Sequence, residues 1–89
     1  MQVAIITHTT QDSDVFRYVG VKQNFNNACT TASVLIMDKL MNGIYANNDD
    51  IVLDIVDREE DNQATIVRAI NNDDGTEYEA YHITEKIVD

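Results

Sequence analysis

The sequence predicts an α+β domain in which one amphipathic helix packs on an antiparallel β-sheet, with the elements in the order β-β-α-β-β-β. Its 89 residues suit a single domain, because two halves would each be too short to bury a core. One stretch carries apolar residues at helical spacing, whereas several short stretches are rich in β-branched residues. The alternative is an α-β-β-β domain with an irregular N-terminal arm.

The first two strands are predicted over residues 3–8 and 15–21, where β-branched residues are frequent. A polar turn over residues 11–14 separates them. We therefore expect these strands to form an antiparallel hairpin.

The helix is predicted over about residues 25–42. Asn24 suits the N-cap, because its short side chain accepts a hydrogen bond from an early helical N–H. Gly43 suits the left-handed position that ends many helices. The residues that define the apolar face follow the i, i+3, i+4, i+7 rule and are Phe25, Ala28, Cys29, Ala32, Leu35, Ile36 and Leu40.

Three further strands are predicted over residues 51–57, 63–70 and 76–84. A charged turn over residues 58–62 joins the first two of them. The Asp74-Gly75 pair between the last two strands is a strong hairpin signal. These three strands are therefore expected to form a meander.

Val34, Met37 and Met41 form a second apolar stripe on the helix, outside its main apolar face. Two explanations are open. Either the N-terminal hairpin buries the helix on a second side, or the stripe is a contact surface for a homodimer or another partner. Methionine suits such surfaces because its side chain is flexible and polarizable.

The charge of the chain is concentrated in its second half. There are 16 acidic and 6 basic residues, for a net charge of -10. Residues 1–48 hold three of each sign, so residues 49–89 carry the whole excess. This field repels nucleic acid and anionic membranes, so we expect neither as a direct partner.

Residues i and i+2 of a strand lie on one face about 6.6 Å apart, which is close to the spacing of phosphates along one DNA strand. Asp57, Glu59 and Asp61 have this spacing if β-structure continues into the turn, and so do Glu77 and Glu79, which are therefore predicted to share one face. With Asp49 and Asp50, the acids of the meander would then resemble a nucleic-acid backbone and bind a protein with a basic groove. The alternative is that they serve solubility and block pairing at strand edges. The predicted partner-binding residues are Asp54, Asp57, Glu59, Glu60, Asp61, Asp73, Asp74, Glu77 and Glu79.

Few residues of this sequence are suited to catalysis or metal binding. Cys29 is the only cysteine, so no intramolecular disulfide forms, and it lies on the apolar face of the helix. His8 and His82 have no zinc-ligand spacing. We expect no enzyme activity, no metal, no cofactor and no membrane span, and the lack of disulfides favours a reducing cytoplasm.

In size, acidity and cysteine content the chain resembles small inhibitors that phages and mobile elements make against host nucleases, including anti-restriction and anti-CRISPR proteins. The resemblance implies a non-catalytic inhibitor that mimics DNA and occupies a nucleic-acid-binding groove. The alternative is a structural or adaptor protein that self-associates through its helix and keeps its acids for solubility.

Overall fold

The computed structural model describes residues 2–11, 13–57 and 65–87 and confirms the predicted α+β fold and element order. A short 3-10 helix over Asn48–Asp50 precedes the third strand. The strands and the helix are β1 (Gln2–Thr10), β2 (Ser13–Lys22), α1 (Phe25–Met41), β3 (Ile51–Asp57), β4 (Thr65–Asn71) and β5 (Glu77–Ile87).

The five strands form one sheet in the order β2-β1-β5-β4-β3, and every neighbouring pair is antiparallel. The predicted N-terminal hairpin and the predicted meander are both present. They join because β1 pairs with β5, from Gln2 opposite Ile87 to Thr10 opposite Glu79. The most C-terminal of the described strands therefore lies in the centre of the sheet.

Local sequence signals set both ends of α1. The Asn24 side chain accepts a hydrogen bond from the Asn27 backbone N–H at 2.9 Å, as expected of an N-cap. At the other end Gly43 has a φ of 64°, a left-handed conformation that glycine adopts at little cost. The helix therefore stops within one residue of its predicted end.

The core lies between α1 and one face of the sheet. Ala28, Ala32 and Ile36 of the helix are fully buried. Two of these are alanines, whose small side chains allow the helix backbone to approach the sheet closely. The sheet residues facing them are Ala4, Ile6, Val67, Ala69, Tyr81 and Ile83, all of which are buried. No described helix covers the other face of the sheet, which we call the open face.

The second apolar stripe of α1 is exposed. Val34, Met37 and Met41 have exposed fractions of 57%, 49% and 83%. On a helix of 3.6 residues per turn they lie on the side opposite Ala32 and Ile36. The explanation that the N-terminal hairpin buries this stripe is therefore wrong.

A β-bulge interrupts the pairing of β4 with β5. Ala69 is opposite Glu79, but the next residue, Ile70, is opposite Glu77. Tyr78 is thus the extra residue of β5, and Glu77 and Glu79 point to opposite faces of the sheet. The prediction that these two carboxylates share one face is therefore wrong.

Replacing Ile36 tests the packing of α1 on the sheet. Ile36→Ala leaves a cavity in a fully buried site, so we expect it to lower the free energy of unfolding by about 2–5 kcal/mol. Urea denaturation followed by circular dichroism measures this loss. Thr30→Ala on the exposed side of the same helix is the control, with a change within about 0.5 kcal/mol. Equal losses in both variants would contradict the packing described.

Candidate functional site

Two acidic segments meet at one end of the sheet. The 3-10 helix before β3 carries Asp49 and Asp50, and the turn after β4 carries Asp73 and Asp74. The Asn72 backbone N–H donates to the Asp50 carbonyl at 2.8 Å, which holds the segments side by side. All four aspartates are exposed, and we call this surface the acidic end.

The turn of the acidic end is rigidly hydrogen-bonded. The Asn71 side-chain oxygen is the acceptor for the backbone N–H groups of Asp73, at 2.8 Å, and Asp74, at 3.4 Å. The Asp74 carboxylate accepts from the Thr76 backbone N–H at 2.8 Å. Hydrogen bonds with the side chain and backbone of Thr76 hold the pKa of Asp74 below its ordinary value. Asp74 therefore stays ionised and shapes the turn.

No Lys, Arg or His among the described residues forms an ion pair with any aspartate of the acidic end. Two basic residues, one on α1 and one on β4, have other acceptors. The Lys39 ammonium binds Glu79 at 2.7 Å, and the Arg68 guanidinium binds Asp54 at 2.8 Å. The acidic end is therefore a patch of four uncompensated negative charges.

Asp54 and Glu77 lie on the open face, outside the acidic end. Arg68 stands between them and donates to the Asp54 carboxylate at 2.8 Å and to the Glu77 carboxylate at 3.3 Å. Hydrogen bonding to Asp54 is the largest of the effects that raise the pKa of Arg68. The guanidinium partly neutralises both predicted contact residues, which weakens them as ligands for a basic partner.

Asp57, another of the predicted contact residues, belongs to the opposite end of β3. The backbone of Asp57 ends this strand, about 20 Å from its first residue at a rise of about 3.3 Å per residue. Glu59, Glu60 and Asp61 lie outside the described residues, as does the side chain of Asp57. Among the nine predicted residues, the structure places Asp73 and Asp74 together at the acidic end.

Glu79 is the clearest departure from the predicted contact surface. It is only 5% exposed, because it alternates with Tyr81 and Ile83 along β5 and so faces the core beneath α1. A carboxylate in this position does not reach a partner protein. Glu79 is therefore removed from the predicted contact surface.

Donors from three elements surround the Glu79 carboxylate. Lys39 of α1 donates to both oxygens, at 2.7 and 2.9 Å. The His8 ring of β1 lies 2.9 Å from one oxygen, and the Tyr45 hydroxyl donates to the other. The His8 ring also stacks on Tyr81, with their ring centres 4.5 Å apart. We call these five residues the Glu79 cluster.

The donors keep Glu79 ionised although it is buried. Burial acts to raise its pKa, but hydrogen bonds from Lys39, Tyr45 and His8 outweigh burial and hold the pKa below the ordinary value. The pKa values of the two tyrosines in the cluster shift in the opposite direction to that of Glu79. Burial and the neighbouring carboxylate raise the pKa of Tyr81 to about 12 and raise that of Tyr45 further. The cluster is thus a buried carboxylate enclosed by hydrogen-bonding groups from three elements, and its two tyrosines keep their hydroxyl protons.

The sequence contained a signal for the Glu79 cluster. Lys39 follows Ala32 and Ile36 at helical spacing, so it lies on the buried side of the helix and requires an acidic partner. Glu79 alternates with Tyr81 and Ile83 along β5, which places it on the core face. Combining both patterns would have predicted the pair.

The described surface also holds a shallow pocket of about 240 Å³ near the start of α1. Val3, Glu85 and residues 23–26 line it. Glu85 is its only charged side chain. Elsewhere in the described ranges, no three His, Cys, Asp or Glu side chains are grouped closely enough to hold a metal ion.

The chain matches no family model, no curated protein and no solved structure. None of the helices in the described ranges is both long and apolar enough to cross a lipid bilayer.

Glu79→Gln tests the buried charge. Because the pKa of Glu79 is lowered in the folded protein, its charge stabilises the fold above the ordinary carboxyl pKa of about 4.3. That stabilisation disappears as the pH falls through the lowered pKa. We expect the variant to lose about 1.5–3 kcal/mol at pH 7, and the difference from the original protein to shrink below about pH 4.

Urea denaturation at pH values from about 2.5 to 7 measures this difference. Glu77→Gln is the matched control, because Glu77 is two residues away, exposed and bound only to Arg68. Its effect should stay within about 1 kcal/mol. A loss for Glu79→Gln that does not depend on pH would contradict the described role of the charge.

Proposed function

We propose that the chain is a non-catalytic binding protein that presents its acidic end to the basic, nucleic-acid-binding surface of another protein. Bound there, it excludes DNA or RNA from that surface. The observation that carries this proposal is the convergence of Asp49 and Asp50 with Asp73 and Asp74 through the 2.8 Å hydrogen bond between Asn72 and Asp50.

The rigidity of the acidic end supports binding. Backbone hydrogen bonds hold both of its segments, and the Asn71 side chain holds the turn. A surface that is already ordered loses little conformational entropy when a partner binds. Four carboxylates on an ordered frame therefore suit a partner whose basic side chains normally contact successive phosphates.

The charge of the whole chain supports rapid association. A net charge of -10 attracts a basic partner over long range, and the attraction weakens as salt is added. Electrostatic complementarity of this kind mainly raises the association rate and selects the partner. Binding should therefore be fast and sensitive to salt.

The resemblance in size and acidity to phage and mobile-element inhibitors points to a class of partner. We propose a host nucleic-acid-binding defence protein, of the kind blocked by anti-restriction or anti-CRISPR proteins, and a cytoplasmic site of action. The uncompensated acidic end, and not a catalytic centre, provides the chemistry.

Asp49→Lys/Asp73→Lys tests the proposal. Reversing two charges of the acidic end should abolish capture of a partner from nuclease-treated lysate, because the basic surface then meets a neutral patch. Affinity capture across a salt series, followed by mass spectrometry, identifies the partner. The purified partner should bind a fluorescently labelled nucleic acid, double- or single-stranded. It should release this nucleic acid when the original protein is added.

Asp38→Lys/Glu85→Lys is the matched control, since it changes the net charge equally at exposed sites outside the acidic end. This control should still capture the partner and displace the nucleic acid. Equal loss in both double variants, or a partner that keeps its nucleic acid when bound, would refute the proposal.

A further inference from the structure

The exposed side of α1 carries an uncharged stripe along its length. Thr30, Val34, Met37 and Met41 follow one another at helical spacing, and Ile44 continues the stripe beyond the helix. We call these five residues the outer stripe. Its four apolar members are between 49% and 83% exposed. A helix that faces solvent on this side would normally carry charged residues there.

We propose that a second copy of this chain covers the outer stripe, so that two α1 helices pack antiparallel about a two-fold axis. The inference is independent of the acidic end and of its partner. A two-fold interface uses the same patch of both copies, so the patch must be complementary to itself when reversed. The outer stripe meets this requirement.

Self-complementarity follows from the residue spacing. A two-fold axis that crosses α1 at Met37 and Asp38 brings Val34 of each copy opposite Met41 of the other. The same axis brings Thr30 to the region just beyond the C-terminus of the other helix, where Ile44 continues the stripe. Each pair of Val34 with Met41 places a smaller side chain against a larger one, which allows the helices to interdigitate. Met37 of each copy then packs beside the axis.

The distribution of charge favours a second copy arranged in this way. Two chains of net charge -10 repel each other, but residues 1–48 are neutral overall and include the outer stripe. The acidic end lies near the C-terminus of α1, where the Asn48 side chain donates to the Leu40 carbonyl at 2.9 Å. Antiparallel helices about 25 Å long therefore keep the two acidic ends at opposite ends of the pair.

The open face is less suited to a second copy. Val52 and Ile70 on the open face are separated from the rest of that face by Asp54, Arg68 and Glu77, which form ion pairs across it. Burying these charges would require their desolvation. The outer stripe itself contains no charged residue, and Asp38 lies beside it, at an exposed position.

The size of the stripe predicts a reversible dimer. One pair of helices of this length forms an interface at the low end of the specific range, and interfaces below about 1,200 Å² belong to weak and transient complexes. We therefore expect the average sedimentation coefficient to rise as the protein concentration increases from about 5 to 500 µM. The mean mass should rise from 10.1 kDa toward twice that value.

Three variants test the surface in the same sedimentation experiment. Met37→Asp should remain monomeric over the whole range, because it places two like charges beside the axis. Ile55→Asp is the matched control: it removes an apolar residue that is 54% exposed, on β3, and should dimerise as the original protein does. The Asp38→Asn variant should dimerise at least threefold more tightly, because it removes the repulsion between the two Asp38 carboxylates that flank the axis.

Cross-linking tests the direction of the helices. Chains with the single cysteine replaced by Cys29→Ser receive either Val34→Cys or Met41→Cys, and the two variants are mixed and oxidised. Antiparallel packing gives the 34–41 disulfide faster than 34–34, because cysteines link only when their Cα atoms lie within about 7 Å. A faster 34–34 link, a chain that stays monomeric, or dissociation by Ile55→Asp would overturn the proposal.

Discussion

The Glu79 carboxylate is the charge around which the rest of this domain is arranged. It lies between α1 and the sheet, and its partners come from β1, from the helix and from the loop that follows the helix. A buried ion pair adds little stability compared with apolar packing, but removing one partner is costly. Helix, loop and strands therefore satisfy the carboxylate together, in one relative position.

The bulge at Tyr78 decides how the acids of β5 are used. Without this extra residue Glu77 would share the core face with Glu79, which alternates with the buried Tyr81 and Ile83. With it, Glu79 alone faces the core and Glu77 binds Arg68 on the open face. Tyr78 itself packs against the core, with its ring 6.1 Å from that of Tyr45. One inserted residue thus divides neighbouring carboxylates between a structural and a surface role.

The fold was largely predictable because its signals are local. Helical spacing, the Asn24 cap and Gly43 gave both ends of α1 to within a residue, and β-branched runs gave the strands. The acidic surface was less predictable, because the position of Glu77 on the open face depends on a bulge that turn and strand preferences do not encode. The contact of Asp50 with Asn72 likewise depends on the pairing of β3 with β4.

The sheet order has a consequence for how the chain folds. β5 occupies the centre of the sheet, although it follows all the other described strands in the chain. Until it is synthesised, the hairpin of β1 and β2 and the pair of β3 and β4 have no strand to join them. The contact between His8 and Glu79 closes a loop of 71 residues, and such long-range contacts slow folding. During translation the helix therefore has no complete sheet to dock on, and cooperative folding begins only when the central strand emerges from the ribosome.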